Sequence, residues 1–273
     1  MFDWLCAACA VEYPRGERPP TECPICRDER QYVPLSGQRW TSLQQLAEQG
    51  SRVEITEAEP GLHVLSTVPE AGIGQSAKLV RTSEGNLLWD PTGFVDEAAA
   101  EKVRELGGAR FVVASHPHMY GAQTTWARLL DATVLVADAD RDWVQRADPR
   151  IRTFSGDVEL LPGVTVRTIG GHFPGSAIVH WSRGAEGRGV VLAGDTFFPG
   201  PSGRWVTFMR SYPNAIPLSA AVVARVAGAV TAHPFDRAYG NFGNRIMSDA
   251  RGAVQRSADR YVAWVSGAND HLT

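Results

Sequence analysis

Apolar residues along this chain gather in short β-branched runs bounded by Gly, Pro, Asp and Ser, a pattern of buried strands that open into turns. Such runs predict strands near 52–57, 61–67, 78–81 and 86–89, the last two joined by a Ser83-Glu-Gly85 turn. Further strands are expected at 111–114, 133–136, 151–154, 158–160, 164–169, 177–181 and 190–193, with a weaker run at 229–232. Helical spacing predicts a short helix capped by Thr41 or Ser42 and ended by Gly50. Longer helices are expected at 95–106, stopped by Gly107-Gly108, and at 123–130, 139–146, 218–228 and 245–264. Strands first, then helices alternating with strands, suit a layered α/β fold.

Candidate chemistry sits at the ends of those runs. His116 and His118 follow the run 111–114, His172 follows 164–169, Asp195 follows 190–193, and His233 follows 229–232. A lone histidine in a loop is ordinarily satisfied by a hydrogen bond. Here four of the chain's seven histidines stand at strand ends far apart in sequence, which is how a sheet gathers a metal site. His116 and His118, separated by Pro117, can converge on one ion from an extended exit loop. His63, His180 and His271 lack this context.

The order Asp90-Pro-Thr-Gly93, Ser115-His-Pro-His118, Gly171-His-Phe-Pro-Gly-Ser176, Gly194-Asp-Thr196 and His233 resembles the metallo-β-lactamase superfamily over roughly residues 52–266. The resemblance implies a four-layer αββα sandwich with a metal cleft at one edge. It implies that His116, His118 and His172 form a first metal site to which Asp195 is adjacent. The family's His-x-His-x-Asp-His pattern is broken, because Tyr120 and Gly121 stand at its last two positions. Two ligands of a second ion are thereby lost, so a single metal is expected. Three imidazoles suit zinc with an open position for water, whereas two imidazoles with Asp195 would suit non-haem iron. Asp195 either ligates or holds and deprotonates the water. Tyr120 either donates to an oxyanion or fills the vacated volume. His233 either shuttles protons or contacts substrate, or else it orients Asp195.

The segment 197–217 leaves the Asp195 strand and carries Phe198, Arg204, Trp205 and Arg210. It is the expected substrate loop. Its aromatics would contact a partly apolar small molecule and its arginines an anionic group, or else they pack the loop down and are solvated.

All four cysteines lie in the first 26 residues, as Cys6-Ala-Ala-Cys9 and Cys23-Pro-Ile-Cys26. Two C-x2-C pairs 13 residues apart predict a four-thiolate structural zinc site resembling a zinc ribbon or rubredoxin knuckle, where iron also fits. Two disulfides are the competing reading. Met1-Phe-Asp-Trp-Leu has no basic start and no apolar core of a signal peptide, which sets the expectation of a cytoplasmic protein and favours the metal. A segment this small and proline-rich would fold on its metal, so a boundary is expected after it, giving units 1–36 and 37–273.

The remaining bounds exclude more than they assign. The chain has 273 residues, 44% hydrophobic and 21% charged, with a net charge of −3 and basic residues scattered, which leaves no footprint for nucleic acid. No apolar stretch is long enough to span a membrane. Three readings stay open: a mononuclear zinc hydrolase of an ester, thioester, lactone or phosphoester; an iron oxygenase; and a binding module without catalysis.

Overall fold

A computed structural model describes residues 1–273 and divides the chain into two compact units, Met1–Phe154 and Ser155–Thr273. The division does not fall at 36/37, where the sequence suggested it. The cysteine segment shares its core with the first unit: Trp4, Leu5, Val11 and Ile25 pack with Val53, Leu65, Leu88 and Phe94.

In the first unit, β1 (Trp4–Cys6) pairs antiparallel with β2 (Trp40–Ser42), and α1 (Pro24–Arg27) carries the last cysteine, Cys26, with Cys23 at its N-cap. Ser42 caps α2 (Leu43–Glu48) through its hydroxyl, which accepts from Gln45 N at 3.1 Å. A seven-stranded sheet follows in chain order: β3 (Arg52–Glu59), β4 (Leu62–Val68), β5 (Ala77–Thr82), β6 (Gly85–Trp89), β7 (Phe111–Val113), β8 (Thr133–Ala137) and β9 (Ile151–Phe154). Hairpins make β3 to β6 antiparallel; crossovers make β6 to β9 parallel. Two of those crossovers are α3 (Glu97–Glu105), capped by Asp96, and α4 (Gln123–Leu130). Ala99 and Val103 of α3 and Trp126 and Ala127 of α4 bury against the sheet's Leu79, Leu88 and Val112.

In the second unit, β10 (Asp157–Leu161), β11 (Val164–Thr168), β12 (Ala177–Trp181) and β13 (Val190–Leu192) form an antiparallel meander, with the short turn α5 (Gly184–Gly187) between the last two. Two small ribbons follow: β14 (Phe198–Pro199) with β15 (Val206–Thr207), and β16 (Met209–Ser211) with β17 (Ile216–Pro217). Helix α6 (Ala220–Thr231) crosses to β18 (Arg237–Tyr239), which lies parallel to β13 and antiparallel to β19 (Arg245–Ile246); α7 (Ala250–Val265) ends the unit. Val223, Val226 and Val230 of α6 and Val254 and Ala258 of α7 pack on Ile178, Val191 and Ala238.

Three local expectations are corrected. Residues 139–146 lack an apolar stripe at helical spacing, and Asp138–Trp143 form only a 3-10 turn. The run at 229–232 is no strand: Val226 and Val230 continue the buried stripe of α6, which ends at Thr231. The last helix starts at Ala250, because Arg245–Ile246 pair as an edge strand before Asp249 turns the chain at φ +52°.

Candidate metal centre

The first pair of histidines is set by the ends of β6 and β7. Asp90 follows β6 at φ +50°, fully buried, and its amide donates to the Val113 carbonyl at 2.8 Å. Its carboxylate accepts from Ser115 N at 2.5 Å, so the chain leaving β7 is tied to the chain leaving β6. Ser115 Oγ lies 2.8 Å from His116 Nδ1, which turns Nε2 away from the backbone. Pro117–Met119 form a 3-10 turn with Pro at its first position, and the rings of His116 and His118 meet edge-on with centroids 5.0 Å apart.

The second pair comes from the ends of β11 and β13. Ile169 N and Gly170 N both donate to the Ser176 carbonyl at 2.8 Å, and Phe173 N donates to Ser176 Oγ at 2.8 Å, closing a tight loop around His172. Gly171, at φ +100°, is needed there: a Cβ would lie 3.1 Å from Val226. The Met209 carbonyl can only accept, so His172 Nδ1, 3.2 Å away, carries the ring proton and Nε2 keeps its lone pair. That Nε2 lies 3.9 Å from Asp195 Oδ2, and Asp195 leaves β13 through Gly194 at φ +51°.

His116, His118, His172 and Asp195 are all buried, and their ligand atoms lie within 4.8 Å of one another. Three imidazoles and one carboxylate converging in this way fit a divalent transition metal, and the donor types admit zinc or iron.

The other expected residues fall elsewhere. Tyr120 is buried, and its hydroxyl donates to the Asp140 carbonyl at 2.9 Å; burial pushes its pKa well above the usual phenol range. Gly121 can carry no ligand side chain in place, because a Cβ would lie 2.3 Å from the Pro91 carbonyl oxygen. His233 is not brought to the group, contrary to the sequence expectation. It is exposed and packs on His180 with ring centroids 5.5 Å apart. The reason is register: β13 and β18 are parallel with Val190 opposite Arg237, so His233 enters at the end of β13 remote from Asp195. Asn241 leaves β18 at the Asp195 end, where Ala193 N donates to the Tyr239 carbonyl at 2.9 Å, and it is only 1% exposed. The sequence pattern does not mark this position, because a three-residue strand is too short to register and the nearby Gly240 and Gly243 signal only a turn.

The segment 197–217 is not one open loop. Phe197 and Phe208 are core residues, and the ribbon β14–β15 is tied to α7 through Val206 N donating to Ser257 Oγ at 2.9 Å. Trp205 lies under the Arg260 guanidinium, 3.9 Å from its ring, and Arg204 beside it is exposed. Phe198 instead packs on Tyr212 at 5.1 Å, and the Tyr212 ring is 5.9 Å from that of His172. Phe242, 40% exposed, extends this row from Phe198 at 6.1 Å. Arg210 follows Met209, whose carbonyl holds His172.

In the first unit the four cysteine sulfurs also lie within 4.8 Å of one another. Cys6 and Cys26 are 3.4 Å apart and Cys9 and Cys23 3.7 Å, far beyond a disulfide bond and near the ~3.8 Å edge of a tetrahedron with zinc–sulfur bonds of about 2.3 Å. Hydrogen bonds from Cys23, Cys26 and Cys9 hold the Cys6 thiol well below its usual range, while burial pushes Cys9 up. A bound divalent cation would keep all four as thiolates.

Against this geometry, the chain is 39% identical over 261 residues to the uncharacterized protein YmaE of Bacillus subtilis, covering 95% of both chains. The protein belongs to the YmaE family. No family model matches it. Its fold is that of the metallo-β-lactamases, an αββα sandwich. The metallo-β-lactamase FIM-1 of Pseudomonas aeruginosa, crystallised in its mono-zinc form, aligns with a TM-score of 0.56 at 13% identity, over 77% of this chain and 96% of that one. MEM-A1, a subclass B3 metallo-β-lactamase from a soil metagenome library, aligns at 0.54 and 17%, over 81% and 98%. SMB-1, crystallised with mercaptoacetic acid, aligns at 0.51 and 18%, over 77% and 94%. This YmaE-family chain thus joins a metallo-β-lactamase fold to an N-terminal cysteine knuckle. No helix in it is long and apolar enough to cross a membrane.

Proposed function

We propose that this YmaE-family protein is a metal-dependent hydrolase holding one catalytic ion, zinc, on His116, His118 and His172, with Asp195 beside it as the proton acceptor, and a second, structural zinc on the four cysteines. Its substrate is a small ester, thioester, lactone or phosphoester, partly apolar and anionic. The observation that carries this reading is the convergence of three buried imidazoles and a carboxylate within 4.8 Å. Tyr120 and Gly121 offer no ligands for a second ion, and the mono-zinc form of FIM-1 supports one ion on this fold.

When bound, such an ion polarises the substrate oxygen and brings the pKa of its water to about 7. The chain's own residues do the rest. Asp90 holds Ser115, and through it the His116 ring; the Met209 carbonyl fixes the His172 tautomer. The Asp195 carboxylate accepts the proton of the attacking water. As the water oxygen bonds to the acyl or phosphoryl centre, that proton passes to the departing oxygen or sulfur. Phe198 and Phe242 form an apolar wall, and Arg210 meets the anionic group.

Elemental analysis and a hydrolase panel test the reading together. Wild-type protein should carry about two zinc per chain, and His116→Ala about one, with turnover lost. Iron at the histidine site would replace hydrolysis with an oxygenase reaction. One zinc in both proteins would make the fold a binding module and end the hydrolase reading.

A further inference from the structure

The cysteine knuckle reaches past its own metal site. Glu12, between the two cysteine pairs, is 3% exposed and bonds to the segment that follows His116 and His118. Its amide donates to the Gly121 carbonyl at 3.0 Å. Its carboxylate accepts from Thr124 N and, at 2.9 Å, from Thr125 Oγ1. Helix α4 begins there with Ala122 at its N-cap, which has no side chain able to cap it. Glu12 therefore supplies that cap from the knuckle, with the negative charge a helix N-terminus favours. Arg146 closes the cluster from the other side, 3.3 Å from Glu12 and 3.3 Å from Asp3.

Two further contacts hold the knuckle in place. The Ala10 methyl sits where Gly72 and Gly93 have no side chain. Beyond the last cysteine, Asp28 pairs with the buried Arg30 guanidinium at 2.5 and 2.8 Å, and that guanidinium lies over the Trp143 ring, 5.7 Å from its centroid. The histidine turn is thus pinned at both ends, by Asp90 upstream and by Glu12 downstream.

We propose that Glu12 is a positioning residue for His116 and His118, and that through it the cysteine knuckle sets the metal affinity of the histidine site. The proposal rests on the reading of the histidine group as a metal site. It makes the small N-terminal segment a working part of the catalytic centre, bonded to the chain directly after Tyr120.

Cobalt(II) is the probe. Full-length protein with zinc held at the cysteines is titrated with cobalt, and the visible band of the imidazole-ligated ion is read. Glu12→Ala should weaken cobalt binding about tenfold or more while the knuckle zinc is retained. Glu12→Gln, which keeps an acceptor for Thr124 N, should recover much of the loss. Folded Glu12→Ala with wild-type cobalt affinity overturns the proposal. Should Glu12→Ala fail to fold, Thr125→Val takes its place, with a smaller weakening expected and an unchanged affinity counting as refutation. A wild-type protein that takes no cobalt at the histidines refutes the metal reading instead. In that case hydrogen exchange at the Thr124 amide still reads the clamp: faster exchange in Glu12→Ala than in wild type supports it, and equal exchange overturns it.

Discussion

Gly93→Ala tests how tightly the cysteine knuckle is built into the first unit. A Cβ at Gly93 would lie 2.2 Å from the Ala10 methyl, where carbon atoms in contact sit about 3.5–4.0 Å apart. The next atoms met are the Ala10 Cα and carbonyl oxygen, at 3.4 and 3.5 Å, so the added methyl can be accommodated only by moving knuckle backbone. Overpacking of this kind costs about 1–3 kcal/mol. Ala10 itself sits at φ +61°, a left-handed conformation that costs a residue with a Cβ about 1–2 kcal/mol. Ala10→Gly relieves that strain and loses about 0.5–1 kcal/mol to unfolded-chain entropy, leaving it near neutral. The double variant moves the methyl from one side of the contact to the other and should regain most of the stability lost in Gly93→Ala. Urea titrations of the four proteins, with zinc held saturating, give the coupling energy. Additive effects, with the double variant as unstable as Gly93→Ala, would mean that the knuckle does not dock where the geometry puts it. The reasoning behind the Glu12 clamp would fall with it.

Other outcomes hinge on single residues. Asp90→Ala leaves the buried Ser115 amide without that acceptor; it should cost about 1–3 kcal/mol in urea and lower histidine-site metal content, whereas Asp90→Asn keeps an acceptor and should lose less. Burial pushes the Lys78 ammonium down to about 8, with Asp90 acting against the shift. Unfolded chain keeps that proton up to about pH 10.4, so between about pH 8 and 10 the unfolded state binds more protons and stability rises with pH, by roughly 3 kcal/mol in all. Lys78→Met should flatten that rise in pH-dependent denaturation, and an unchanged slope would refute the assignment. Once a substrate is in hand, Arg210→Ala should raise KM for its anionic form, while Arg204→Ala, exposed at the tip of a ribbon tied to α7, should not; equal effects would remove the anion contact from Arg210.

The chain's local chemistry determined much of this protein. β-branched runs bounded by turn residues marked most strands to within a residue or two, because a buried strand needs little beyond its own apolar run and its breakers. The C-x2-C pairs and the histidines after 111–114 and 164–169 were legible for the same reason: a metal site needs particular atoms at strand ends, and the sequence displays them. What tertiary structure alone decided depends on which way neighbouring elements run. The Ala and Val residues at 229–232 fit a strand or a helix equally well until α6 buries its Val223, Val226 and Val230 stripe. Parallel pairing of β13 with β18 then sends His233 to the far end and brings Asn241 to the end where Asp195 leaves the sheet. The knuckle reads as a separate small domain by length and composition. Only packing reveals that Ala10 fills the space left by two glycines and that Glu12 caps a helix 112 residues away, since contacts at such separation leave no periodic trace in the chain.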